Sequence, residues 1–95
     1  MRPVAADQVR WAVKRKGFRA AEHGRRDHEY FFLYNGEQKT NFWVKISRGA
    51  RQVEAGEIRR NAASIGISAN DLFLILSCEH DEARTRQVWA SRGLR

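Results

Sequence analysis

The chain has 95 residues, with 18 Lys and Arg against 11 Asp and Glu, for a formal net charge of +7 at pH 7. That length supports one domain with little room for a second core, and the single cysteine, Cys78, excludes an internal disulfide framework and offers no metal-ligand spacing. The longest apolar run, Leu72 to Leu76, falls far short of the ~18 residues of a membrane span.

Met1-Arg2-Pro3-Val4 lacks the apolar centre of a signal peptide, so the expected location is cytoplasmic, with no membrane partner. The charge is unevenly placed. Residues 1–60 carry fourteen basic and seven acidic side chains, whereas residues 61–95 carry four of each. A positive field over the first two-thirds favours a polyanion such as nucleic acid, or an acidic protein.

The first predicted element is a helix from an N-cap at Asp7 to about Lys16. Val9, Ala12 and Val13 form its apolar stripe, and Gly17 stops it. Lys14, Arg15 and Lys16 fall in its last turn, where the helix dipole favours cations. Phe18 to about His23 reads as a strand, Gly24-Arg25-Arg26-Asp27 as a turn, and His28 to Tyr34 as a second, aromatic-rich strand. Asn35-Gly36 is a strong hairpin signal of the type I′ kind. The chain then returns from Lys39 to Ile46, with Phe42, Val44 and Ile46 on one face and Trp43 and Lys45 on the other.

Ser47 to Gln52 reads as a polar loop. A helix follows from about Glu54 to Ser64, with Ile58, Ala62 and Ile65 as its stripe and Gly66 at its end. Ser68-Ala69-Asn70-Asp71 resembles a capping box opening a short apolar helix through Leu76. The tail from His80 to Arg92 has helical periodicity, with Ala83, Val88 and Trp89 apolar. The predicted class is α+β. An α-β-β-β-α domain over residues 1–68 has a three-stranded antiparallel sheet covered on one face by helices, and residues 69–95 form a helical extension packed on it.

His28 is the side chain with the most chemistry. Its ordinary pKa lets it move a proton near neutral pH, and the arginines just before it are suited to hold a phosphate. Histidine beside guanidinium groups is minimal equipment for cutting RNA without a metal, because the 2′-hydroxyl is an internal nucleophile. One residue does not readily serve as both base and acid, so water, Asp27 or a substrate group is expected to take the other half. Arg25 and Arg26 are candidate RNA contacts from the turn, and Lys45 from the third strand. Arg48, Arg51 and Arg59 are placed around the start of the second helix, whose free N–H groups suit a phosphate. Glu54 and Glu57 compete for that same dipole. Tyr30, Phe32, Tyr34 and Trp43 are candidates for base stacking. Strand alternation, however, assigns at least half of these aromatics to the core. His23 and His80 read as structural.

Three segments resemble the HicA-type toxins of bacterial type II toxin–antitoxin systems. Val9, Ala12, Val13, Gly17 and Phe18 fit that family's apolar helix ending in Gly-aromatic. His28 with Tyr30 and Phe31 fits its histidine and apolar strand. Gly56-Glu57-Ile58-Arg59 and Ile65-Gly66-Ile67-Ser68 fit its Gly-Thr-Leu-Arg helix closing on Ala-Gly-Ile-Ser. The resemblance covers about residues 7–68. The chain departs from the pattern at Arg26-Asp27, where the family has Gly-Ser, and at Lys45-Ile46-Ser47, where it commonly has Pro-His. Its tail is also longer than most members carry.

The resemblance implies a double-stranded-RNA-binding-like fold and metal-independent cleavage of mRNA by His28, with no cofactor and with an antitoxin protein as partner. Two other readings are compatible with the residues. One is a non-catalytic RNA-binding module of the same fold, and the other is a basic adaptor that docks an acidic protein.

Overall fold

Alternating apolar side chains between Phe31 and Ile46 create one dry sheet face, and the helices are amphipathic to match it. The computed structural model describes residues 1–21 and 27–93. In chain order its elements are β1 (Val4–Ala5), α1 (Ala6–Arg15), β2 (Phe18–Ala20), β3 (His28–Asn35), β4 (Gln38–Ser47), β5 (Gln52–Val53), α2 (Ala55–Ile65), α3 (Ala69–Leu76) and α4 (Glu82–Ser91). Strands β2, β3 and β4 form an antiparallel sheet in that order. Phe31 and Leu33 of β3 and Val44 and Ile46 of β4 are buried against α1, α2, α3 and α4 in a single core. The expected α+β arrangement is present: one helix, a three-stranded antiparallel sheet, then further helices. Among the described residues no helix is long and apolar enough to cross a membrane.

The start of α1 differs from expectation. Its N-cap is Ala5, without a side-chain cap, and Asp7 lies in the first turn. There Asp7 pairs with Arg10 at 2.8 Å. One of the free N–H groups at the helix start is met from another segment, the Ala6 N–H donating to the Arg51 carbonyl at 2.9 Å. That bond continues a small ladder in which β1 pairs antiparallel with β5, Val4 opposite Val53. The segment expected as a polar loop therefore ends in a strand. Both valines are buried, and they tie the entry of α1 to the entry of α2.

The hairpin also differs in detail. Asn35 pairs with Gln38, so Gly36 and Glu37 are the two central residues. Gly36 has φ +65° and Glu37 is not in the positive-φ region, which is the type II′ pattern rather than type I′. Glycine is required at the first position. We expect Gly36→Val to cost about 1–2 kcal/mol and to lower the thermal midpoint by roughly 5–15 °C, measured by circular dichroism. Beyond this turn the pairing register shifts between Phe32 and Tyr34. Thr40 fills the irregularity, its hydroxyl donating to the Leu33 carbonyl at 2.7 Å and accepting from the Phe42 N–H at 3.1 Å.

The C-terminal helices share the core. Leu72, Ile75 and Leu76 of α3 are fully buried, and Ser68 caps α3 by accepting from the Asp71 N–H at 3.0 Å. His80 is structural, its Nε2 lying 3.1 Å from Asp71 Oδ1. That hydrogen bond is the main reason the Asp71 carboxyl is held below the usual carboxylate range. Asp81 caps α4. The buried side chains of α4 are Thr85, Val88 and Trp89, whereas Ala83, expected on the apolar stripe, is exposed. Trp89 meets Phe18 edge-on at 5.8 Å and Phe42 at 6.3 Å.

Candidate functional site

His28 opens β3 and points to the sheet face opposite the core. The alternation fixes this: Phe31 and Leu33 are buried, so His28, Tyr30, Phe32 and Tyr34 share the other side. Glu29, next to His28, faces the helices, where Arg10 grips its Oε2 through Nε at 3.0 Å and Nη2 at 2.7 Å. Donating this hydrogen bond to Glu29 is the leading cause that raises the Arg10 pKa above its ordinary value. This pair anchors the first turn of β3 to α1 and leaves His28 turned outward.

A cavity of about 230 Å³ lies at this end of the sheet, lined by His28, Lys45, Ser47, Glu57, Arg60 and Asn61. His28 and Ser47 are directly opposite on β3 and β4, and Lys45 lies two residues along on the same face. The far wall comes from α2. There Glu57 accepts from the Glu54 N–H at 3.4 Å, closing the N-terminus of the helix. The Arg60 guanidinium lies over Gly56, with Nη1 3.6 Å from where a Cβ on that glycine would stand. The cavity thus combines a proton-transfer group, a carboxylate, two cations and a hydroxyl.

What holds α2 at this wall is Asn61, 3 % exposed in the helix's buried stripe. Its Oδ1 accepts from the Lys45 N–H at 3.0 Å and its Nδ2 donates to the Lys45 carbonyl at 3.1 Å. Strand β4 is an edge of the sheet, so those backbone groups face away from β3. The amide stands in for a missing strand and satisfies both of them. Positions 57, 60 and 61 are thereby set opposite His28.

Of the residues expected at the site, His28 and Lys45 come together in this cavity. Arg48, Arg51 and Arg59 do not line it. Arg48 is exposed beyond the end of β4, its N–H donating to the Asp27 carbonyl at 2.9 Å. Arg51 is exposed next to β5, and its carbonyl is committed to Ala6. Arg59 is exposed on α2, one position away from Arg60. Arg25, Arg26 and His23 lie outside the described residues. Arg60 and Glu57 are site residues that the charge count alone does not distinguish from their neighbours. The polar Asn61, three residues after Ile58 in an apolar stripe, is the one sequence signal that α2 docks on something with hydrogen-bonding needs.

The expectation that half of the four aromatics belong to the core is incorrect. Tyr30, Phe32, Tyr34 and Trp43 are all part-exposed, and the cross-strand pairing puts them on the open face. Phe18 and Phe31 are the buried aromatics of these strands, and Phe42 packs partly buried against the core.

Among the described residues no three His, Cys, Asp or Glu side chains gather as a metal site would require. No family model, curated protein or solved structure matches the chain.

Proposed function

We propose that the chain is a metal-independent endoribonuclease and that it acts as the toxin of a toxin–antitoxin pair, silenced by a protein partner. The observation that carries the catalytic part is the shared cavity of His28, Glu57, Lys45 and Arg60. Support for the toxin role comes from the HicA-like segments of residues 7–68, two of which, the His28 strand and the Gly56–Arg59 helix, border that cavity.

The chemistry needs two proton transfers and a stabilised phosphorane. One group removes the proton from a 2′-hydroxyl, whose oxygen attacks the adjacent phosphorus. The P–O5′ bond breaks as a second group protonates the leaving oxygen. His28 and Glu57 supply the pair, and Lys45 and Arg60 neutralise the charge that grows on the equatorial oxygens. The products are a 2′,3′-cyclic phosphate and a 5′-hydroxyl.

Purified protein incubated with end-labelled RNA in EDTA is expected to cut it and leave 2′,3′-cyclic phosphate ends. A 2′-O-methyl group at the cut site is expected to stop the reaction. DNA cleaved at a comparable rate refutes the mechanism, because DNA has no internal nucleophile. Binding without cleavage returns the chain to the RNA-binding-module reading. The toxin role predicts growth arrest on expression in a bacterial host, and normal growth with His28→Ala.

A further inference from the structure

The open face of the sheet carries a ladder of rings that begins at the cavity. His28 and Tyr30 have ring centroids 6.5 Å apart, and Tyr30 and Trp43 5.5 Å apart. Phe32 is directly opposite Trp43, and Tyr34 follows two residues on toward the hairpin. Three cations accompany the rings. Lys45 is opposite Tyr30, the Lys39 ammonium lies 4.0 Å from the Phe32 centroid, and the Arg19 guanidinium lies 4.2 Å from that of Tyr34. Among the described residues the carboxylates near this face stand at its two ends: Glu57 in the cavity beside His28, and Glu37 at the hairpin tip, which pairs with Arg19 at 3.3 Å. Glu29 is turned away to Arg10.

Exposed aromatics without a charged companion read as a protein interface. Rings interleaved with cations fit a polymer that has both flat bases and phosphates. Duplex RNA hides its base faces and is gripped through phosphates and 2′-hydroxyls, so it has no use for this ladder. We propose that the open face of β3 and β4 is a stacking platform for single-stranded nucleic acid. Bases next to the scissile phosphate rest on Tyr30 and Trp43, and the strand runs toward the hairpin past Lys39 and Arg19. The direction of the strand rests on the proposed role of the His28 cavity; the platform itself does not. At the hairpin end Lys39 and Arg19 already cover Phe32 and Tyr34, so those positions serve the phosphates, and the Tyr30–Trp43 pair, over which none of the described cations lies, serves the bases.

The test uses 12-residue thymidine oligonucleotides, which lack the 2′-hydroxyl and are not substrates of the proposed reaction. Fluorescence anisotropy is expected to show the single strand bound about tenfold or more tightly than a duplex of the same length. Trp43→Leu and Tyr30→Leu are each expected to weaken single-strand binding by about tenfold and to leave duplex binding unchanged. Equal affinity for the two forms, or unchanged single-strand binding in both folded variants, overturns the platform. Photo-cross-linking of a 5-iododeoxyuridine strand to the unmodified protein reads the same question without a substitution. Adducts on Tyr30 or Trp43 support the platform, and adducts confined to other residues overturn it. None of these results depends on cleavage. A His28→Ala variant that still cuts RNA removes the catalytic reading and leaves the platform standing, and a failed platform leaves the His28 chemistry intact.

Discussion

His28→Ala is expected to lower RNA cleavage by about 10²–10⁴-fold, the usual loss when a positioned proton-transfer group is removed. Folding and RNA affinity should change little. His28 is part-exposed at the start of β3, and among the described residues its ring contact is the T-shaped one with Tyr30; such positions contribute little to stability. The measurement is single-turnover cleavage of a labelled RNA, with circular dichroism and anisotropy as controls. Glu57→Gln adds a second readout: it is expected to slow cleavage as His28→Ala does, because each proposed transfer needs its own group. Unchanged cleavage in His28→Ala takes the residue out of the site altogether.

Asn61→Ala is expected to have the largest effect on stability of any single change at the cavity, about 2–4 kcal/mol. The substitution strands both the N–H and the carbonyl of Lys45 at a part-buried edge, and each orphaned group costs about 1–3 kcal/mol when it is kept from water. For a domain of this size that lowers the thermal midpoint by roughly 10–20 °C, which a melting curve followed by circular dichroism reads directly. Asn61→Asp separates the two bonds. An ionised carboxylate still accepts from the Lys45 N–H but opposes the Lys45 carbonyl, whereas the protonated acid can donate to it. The folded state therefore raises the carboxyl pKa, and this contribution to stability is present at acid pH and lost as pH rises through the folded value. An Asn61→Asp protein whose stability relative to the parent does not improve on acidification contradicts the two-bond account.

Much of the fold was legible because its elements are strongly patterned. The stripe of Val9, Ala12 and Val13, the alternation through Phe42, Val44 and Ile46, and the Ser68 cap each identify an element by local rules, and Gly66 ends α2 with φ +87°. Gly66 has a second task that no local rule contains. The Arg92 guanidinium, at the end of α4, comes within 2.8 Å of where its Cβ would stand. What escaped were features made by distant partners. β1 and β5 are two residues long, too short for any period, and exist because Val4 and Val53 meet. Asp7 is a good cap in isolation, but the β1–β5 pairing and the bond from the Ala6 N–H to the Arg51 carbonyl start the helix earlier and leave Asp7 in its first turn.

The site follows the same division. His28 stands out by residue type, but Arg59 and Arg60 are adjacent and chemically identical in sequence. Only the rotation of α2, fixed by the Asn61 amide, brings Arg60 to the cavity and leaves Arg59 outside it. The aromatics do not sort by type because β3 carries rings on consecutive positions, Tyr30, Phe31 and Phe32, so one strand offers aromatics to both faces. The pairing of Phe32 with Trp43 decides which set lies on the open face.

The amide of Asn61 also works as a register gauge. In an antiparallel ladder the N–H and carbonyl of successive residues point alternately toward and away from the neighbouring strand. The Tyr30 carbonyl accepts from Ala21 on the β2 side at 2.8 Å, which leaves its partner Lys45 facing outward for Asn61. A slip of β4 by one residue against β3 turns Lys45 inward, so the amide of α2 has nothing to bind, and it sends Val44 and Ile46 to the wet face. The helix can therefore seat only on a correctly paired hairpin. The wall carrying Glu57 and Arg60 arrives with the helix, so a chain with a misaligned sheet has no cavity around His28. The candidate cavity and correct strand alignment are set by the same two hydrogen bonds.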